Sequence, residues 1–322
     1  MMPYASANAR PPARAARRPV AGRGRLLRKL GGSVSFEKIS RRFRFHAAAA
    51  SICLLGHCVV VAAQAAPAVA DSQAVAAPAD AREIVVRDLP LADGARQRVL
   101  FYGPRTALRG IIVMFPGGAG DIGIGRDGDI RHGENFVVRT RELWARRGYG
   151  VVIVDAIGHR SMRGQRSTAA YAAVIGQILA FAHSLSDVPV WAMGTSQGSI
   201  AAMSAASHAG PDQLAGVVLT ESVSILGHSH ETVFDAQPAD VRVPALVVAN
   251  RDDACRVAPP SMAADIARSM SHASTTVLLE QGGTAESANA CGSLSPHGYF
   301  GIEEKVVDDI DGWMRRVGGS RP

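Results

Sequence analysis

The chain has 322 residues, 47% of them hydrophobic, enough to bury a sizeable core in one large α/β domain. Its formal net charge of +7 is unevenly spread: residues 1–45 hold twelve Lys/Arg and one acid, Glu37, which leaves 23 basic against 27 acidic residues from His46 onward. The basic excess belongs to an N-terminal leader, and a slightly acidic body excludes nucleic acid as a partner.

The leader ends in an apolar stretch of about 17 residues from Ala47, followed by small-x-small sites. This pattern predicts a signal peptide over residues 1–70, cut after Ala65 or Ala70, with a flexible Ala/Pro linker over 71–82. A mature chain of roughly 250 residues would remain, forming one domain over residues 83–322. A membrane anchor is the alternative, but the run is short and Ala-rich for a spanning helix. No stable membrane association is expected once the leader is cleaved. The basic region is unusually long, and Ser40-Arg41-Arg42 resembles an incomplete twin-arginine signal. General secretion to a periplasmic or secreted location is the expectation. Cys53 and Cys58 leave with the leader, so Cys255 and Cys291 remain as an even pair. In an oxidising compartment they form a candidate disulfide, with two buried thiols as the alternative.

Beyond the linker, 83–91 and 96–103 read as an antiparallel pair of strands. The continuous apolar run 110–115 predicts a strand buried on both faces. Strands and helices then alternate. A helix is expected over 135–148, a strand over 149–155, a helix over 167–185 with Ser167 as N-cap, and a strand over 188–193. The second half continues with a helix over 197–208 and strands at 216–220 and 245–250. A helix over 260–270, a strand over 275–280 and a final amphipathic helix over 301–317 complete the chain. The fold class is thus α/β: a mostly parallel sheet with an antiparallel N-terminal start and helices on both faces. The connection over 222–240 is short, so only a minimal lid is expected.

Gly194-Thr195-Ser196-Gln197-Gly198 falls where a buried strand passes into a helix, the context in which G-x-S-x-G holds a nucleophilic serine on a strained turn. A serine hydroxyl needs an adjacent base to react at neutral pH. Candidates for an acid and a base follow downstream. Asp253 follows the strand 245–250 in "RDDACRV", with Asp252 and Glu221 as competing acids. His297 lies in a loop between the last strand and the last helix. His132, His159, His228 and His230 fall in loops that can line a pocket. A bridge between Cys255 and Cys291 would tie the acid loop to the histidine loop and preorganise the base. Gly117 and Gly118 follow the first parallel strand and permit close backbone approach, so the Gly118 and Gln197 amides are the expected oxyanion donors.

Gly123-x-Gly125-x-x-Gly128 formally matches a dinucleotide fingerprint, with Asp155 ending the next strand. These glycines begin well past the strand and are separated from the helix, so a flexible loop at the pocket mouth is the better reading. Asp121, Asp127 and Asp129 in it are read as solvated rather than as a metal site. No cofactor and no metal are called for.

With "GTSQG", "RDDAC" and "SPHGYFG" in order, the chain resembles the α/β-hydrolase family over about residues 83–317. The segments "FPGGAGD", "ENFVVRTR" and "HGYFGIE" resemble a group of small exported bacterial members. That resemblance implies an α/β-hydrolase fold with Ser196 as nucleophile, Asp253 as acid and His297 as base, and Gly118 and Gln197 as oxyanion donors. Pro116 stands where many members carry histidine, and Asn250 where the acid loop commonly has glycine. The implied activity is that of a serine hydrolase taking a small-molecule ester, lactone or thioester. A peptidase or amidase on the same triad and a non-catalytic binding protein are the alternatives.

Overall fold

A computed structural model describes residues 82–319. The expected signal peptide lies outside the described residues, as does the expected linker except for Arg82. Eight strands form one sheet: β1 (Arg82–Pro90), β2 (Arg96–Pro104), β3 (Gly110–Phe115), β4 (Tyr149–Val154), β5 (Val190–Thr195), β6 (Gly216–Thr220), β7 (Ala245–Asn250) and β8 (Thr275–Glu280). Their spatial order is β1-β2-β4-β3-β5-β6-β7-β8. β1 pairs antiparallel with β2, and β2 antiparallel with β4; every later pairing is parallel.

The sequence pattern explains this directly. All positions of β3, β4, β5, β6 and β7 are buried, which continuous apolar runs permit and alternating ones do not. Successive side chains point to opposite faces. Ile111, Val113 and Phe115 join one apolar cluster with Ile175, Ile200 and Ile266 of α3 (Ala169–Leu185), α4 (Gly198–His208) and α5 (Ala263–Ser269). Ile112 and Met114 join the other, with Trp144, Val306 and Ile310 of α2 (Arg141–Arg146) and α6 (Glu303–Gly318). The sheet is therefore covered on both faces, as the alternation of strands and helices requires.

Element ends shift by a residue or two in several places, and three departures from expectation have a clear local reason. The stretch 135–148 is broken into α1 (Phe136–Arg139) and α2 at Thr140, whose hydroxyl bonds back to the Phe136 carbonyl at 2.7 Å. Thr168, not Ser167, caps α3 through the Tyr171 N–H at 3.2 Å, because Ser167 gives both its N–H and its hydroxyl to Glu231. Pro259 and Pro260 confine the start of 260–270 to a 3₁₀ turn before α5. The 222–240 connection holds two 3₁₀ turns, Val233–Ala236 and Pro238–Asp240, and buries Val233 and Ala236 in the core instead of building a cap. Among the described residues no helix is long and apolar enough to cross a membrane.

Candidate active site

Ser196, Glu221 and Asp253 follow β5, β6 and β7, so the parallel sheet delivers all three to the edge where ligands gather in such folds. Ser196 sits at φ +53°, a left-handed conformation that costs a non-glycine residue about 1 kcal/mol or more. Its N–H is held by the Thr220 carbonyl at 2.9 Å, and its own carbonyl accepts from Ser199 N–H at 3.0 Å. The flanking glycines are sterically required. A Cβ at Gly194 would lie 2.2 Å from the Gly198 carbonyl oxygen, and one at Gly198 would lie 2.0 Å from that of Phe115. The turn thus clamps the serine between β3 and α4. Within 191–200 it alone is not fully buried.

His297 occupies a 3₁₀ turn, Pro296–Gly298, capped by the Ser295 hydroxyl. Its Nδ1 faces Asp253 Oδ2 at 2.7 Å, and both side chains are buried. Asp253 Oδ1 accepts the Cys255 N–H at 2.7 Å. The structure therefore sets Asp253 against His297. Asp252 is exposed and accepts the Gly282 N–H at 2.8 Å instead, and Glu221 is fully buried with Oε1 accepting the Asn250 N–H at 2.8 Å. His297 Nε2 is buried and has no hydrogen-bond partner, so it is not bonded to the Ser196 hydroxyl. Both residues border one cleft of about 240 Å³, together with Gly117, Gly118, His132 and Cys291.

Residues beyond the serine, acid and histidine hold this geometry. Asn250 Nδ2 donates to the carbonyls of Gly282 at 2.9 Å and Pro296 at 3.0 Å, tying the end of β7 to the histidine turn. That crosslink is what the asparagine supplies where glycine is common. Arg139 binds the Gly298 carbonyl and pairs with Glu303 at 2.8 Å. Arg166 is 2% exposed and donates to the carbonyls of Pro116 at 3.4 Å and Gly118 at 3.2 Å, orienting peptides of the glycine loop after β3. Gly118 itself has φ +60°, and Gly117 packs so close to Ser196 that a Cβ there would lie 3.1 Å from the serine Cβ. Gln197 is buried, with Nε2 donating to Ser229 at 3.0 Å. Neither Asn250, Arg139 nor Arg166 carries a local signal, because each acts across more than forty residues of chain or through backbone carbonyls.

Cys255 and Cys291 are joined by a disulfide with their Cα atoms 4.7 Å apart. It anchors the segment before His297 to the residue whose N–H Asp253 accepts. The Gly123–Gly128 segment is pinned rather than free. Asp155 accepts backbone N–H groups from Ile122, Gly123, Ile124 and Ala156 at 2.8–3.2 Å, so its carboxylate folds the loop at the pocket mouth. Asp155 also clusters with Asp121 and His159, but its oxygens are engaged by these amides and His159 Nδ1 pairs with Asp121 at 2.9 Å. Asp127 accepts the Asp129 N–H at 3.2 Å. Of the loop histidines, His132 lines the cleft, whereas His228 and His230 are exposed.

No protein-family model matches the chain, and no curated protein matches it. Solved structures do. A dienelactone hydrolase from Anabaena variabilis aligns with TM-score 0.53 and 15% identity over 73% of this chain and 97% of its own. Fungal esterases from Rhizomucor miehei align with TM-score 0.53 and 14% identity over 74% of this chain and 84% of theirs. Brefeldin A esterase, a bacterial homologue of human hormone sensitive lipase, gives 0.51 and 16% over 78% and 82%. The protein thus has the α/β-hydrolase fold, and its structural neighbours are hydrolases. At such identities the likeness defines the architecture, and the chemistry rests on this chain's own residues.

Proposed function

We propose that the protein is an exported serine hydrolase that cleaves a carboxylic ester, lactone or thioester of compact size through an acyl-enzyme. The observation that carries this reading is the strained Ser196, bordering the same cleft as a buried His297 whose Nδ1 is paired with Asp253. With Nδ1–H given to Asp253, the Nε2 lone pair is available as a base. Nε2 takes the Ser196 proton as Oγ bonds to the carbonyl carbon, and the oxyanion that forms is met by the amides of Gly118 and Gln197. The leaving group departs with the proton from Nε2. Water then adds to the acyl carbon with His297 again accepting a proton, and Ser196 is released with its hydroxyl restored.

A cleft of about 240 Å³ lies below the range of drug-sized sites and favours short acyl groups. Export is supported by the leader and by a disulfide, which persists in oxidising compartments. Labelling of the purified protein by a fluorophosphonate probe tests the reading. Wild type should label, with Ser196→Ala and His297→Ala losing the signal; a folded wild type that fails to label overturns it. Mass analysis of the periplasmic fraction should find a chain starting near Ala66 or Asp71.

A further inference from the structure

Glu221 is a fully buried carboxyl beside the Asp253–His297 pair that the hydrolytic cycle leaves idle. It follows β6 in a left-handed conformation, φ +43°, with its N–H fixed by the Val248 carbonyl at 3.0 Å. Its side chain has no exposure to solvent. Oε1 accepts the Asn250 N–H, while Oε2 is buried without a partner. Carboxylate oxygens of Glu221 and Asp253 and a ring nitrogen of His297 all lie within 4.8 Å of one another. A strained placement of an acid beside a second acid, both buried, calls for a chemical reason.

Two carboxylates this close in a dry site do not both ionise. The proton is assigned by what each one faces. Asp253 has the Cys255 N–H on one oxygen and the His297 ring on the other, both of which favour its anion. Glu221 has a single amide. The other titratable groups turned toward it are His297 and Tyr299 of the histidine turn; the Tyr299 hydroxyl donates to the Val248 carbonyl at 3.1 Å, and like the Asn250 amide it favours the Glu221 anion, but by less than burial and Asp253 oppose it. Burial, and next the charge of Asp253, push the Glu221 carboxyl well above the usual carboxylate range.

We propose that Glu221 is a positioning residue for the acid–histidine pair: a neutral carboxylic acid whose Oε2–H is directed at the Asp253 carboxylate. The inference rests on the hydrolase reading for its kinetic consequences only. Sharing a proton with Glu221 draws charge density away from the carboxylate that His297 faces, which weakens the pull of Asp253 on a proton held by the ring. The device keeps Asp253 an anion while holding the base ready.

The test compares Glu221→Gln and Glu221→Leu with wild type. Glutamine keeps a donor where Oε2 stands and should leave the acid limb of the kcat/KM profile in place, even with kcat lowered a few-fold. Leucine removes the donor and should move that limb up by about one pH unit, mainly through kcat. An ionised Glu221 gives the opposite sign, with both variants moving the limb down. A merely structural Glu221 moves it in neither. Either result overturns the proposal. Infrared difference spectra above pH 7 provide the independent readout: a protonated-carboxyl band present in wild type and in Ser196→Ala but missing in Glu221→Gln is expected, and its absence from wild type overturns the proposal. This band does not depend on turnover, or on the leucine variant folding. Failure of the fluorophosphonate label would sink the hydrolase reading alone.

Discussion

Ser196 is placed by one tight turn pressed between neighbouring strands and α4, whereas His297 is placed by tethers drawn from Arg139 to Cys291. On the serine side the geometry is steric: a strand end, a left-handed residue and two glycines that admit no Cβ, one of them against the Phe115 carbonyl of β3. On the histidine side it is a set of tethers, namely Asp253, the Asn250 side chain, Arg139 and the Cys255–Cys291 bridge. The difference teaches that one half of the site resists everything except a change of side-chain volume, while the other is loosened by removing any one of several crosslinks.

That contrast can be broken in order of severity. Asp253→Asn should lower kcat by roughly 10⁴-fold with the fold intact, because the amide favours the wrong imidazole tautomer; steady-state ester hydrolysis measures it. Replacing Cys255 and Cys291 together by alanine should cost about 4 kcal/mol in the chain-entropy model for the loop they close, read as a fall in the denaturant midpoint. On the serine side, Gly198→Ala should cost about 3 kcal/mol by forcing a Cβ against the Phe115 carbonyl, and fluorophosphonate labelling should fall with it. Asn250→Ala should cost about 1–3 kcal/mol and slow turnover more than it raises KM, since it frees the histidine turn without touching the cleft wall. Asp252→Asn, on an exposed side chain next to the acid, should change stability by less than about 0.5 kcal/mol and leave turnover near wild type. A large loss there would mean that the acid loop is held differently from the arrangement described.

The same division separates what was legible from what was not. The G-x-S-x-G turn and the buried strands could be read because steric exclusion and a continuous apolar run act within a few residues. The helix that periodicity predicts over 135–148 is broken because Thr140 turns its hydroxyl back on its own backbone, which periodicity does not register. The glycine-rich segment looked free because Asp155, some thirty residues away in sequence, does the folding of it.

By itself the sequence determined the α/β alternation, the order in which serine, acid and histidine arrive, and an elbow that only glycines can flank. Each of these follows from short-range sterics and from which faces must be apolar. Only the tertiary structure decided which of Asp252, Asp253 and Glu221 meets His297, and which side chains brace it. Those outcomes depend on β6 and β7 lying side by side and on a chain that returns to them more than forty residues later. Pairing across such a distance is set by sheet order and by the cost of burying an unpaired charge, neither of which a local pattern carries.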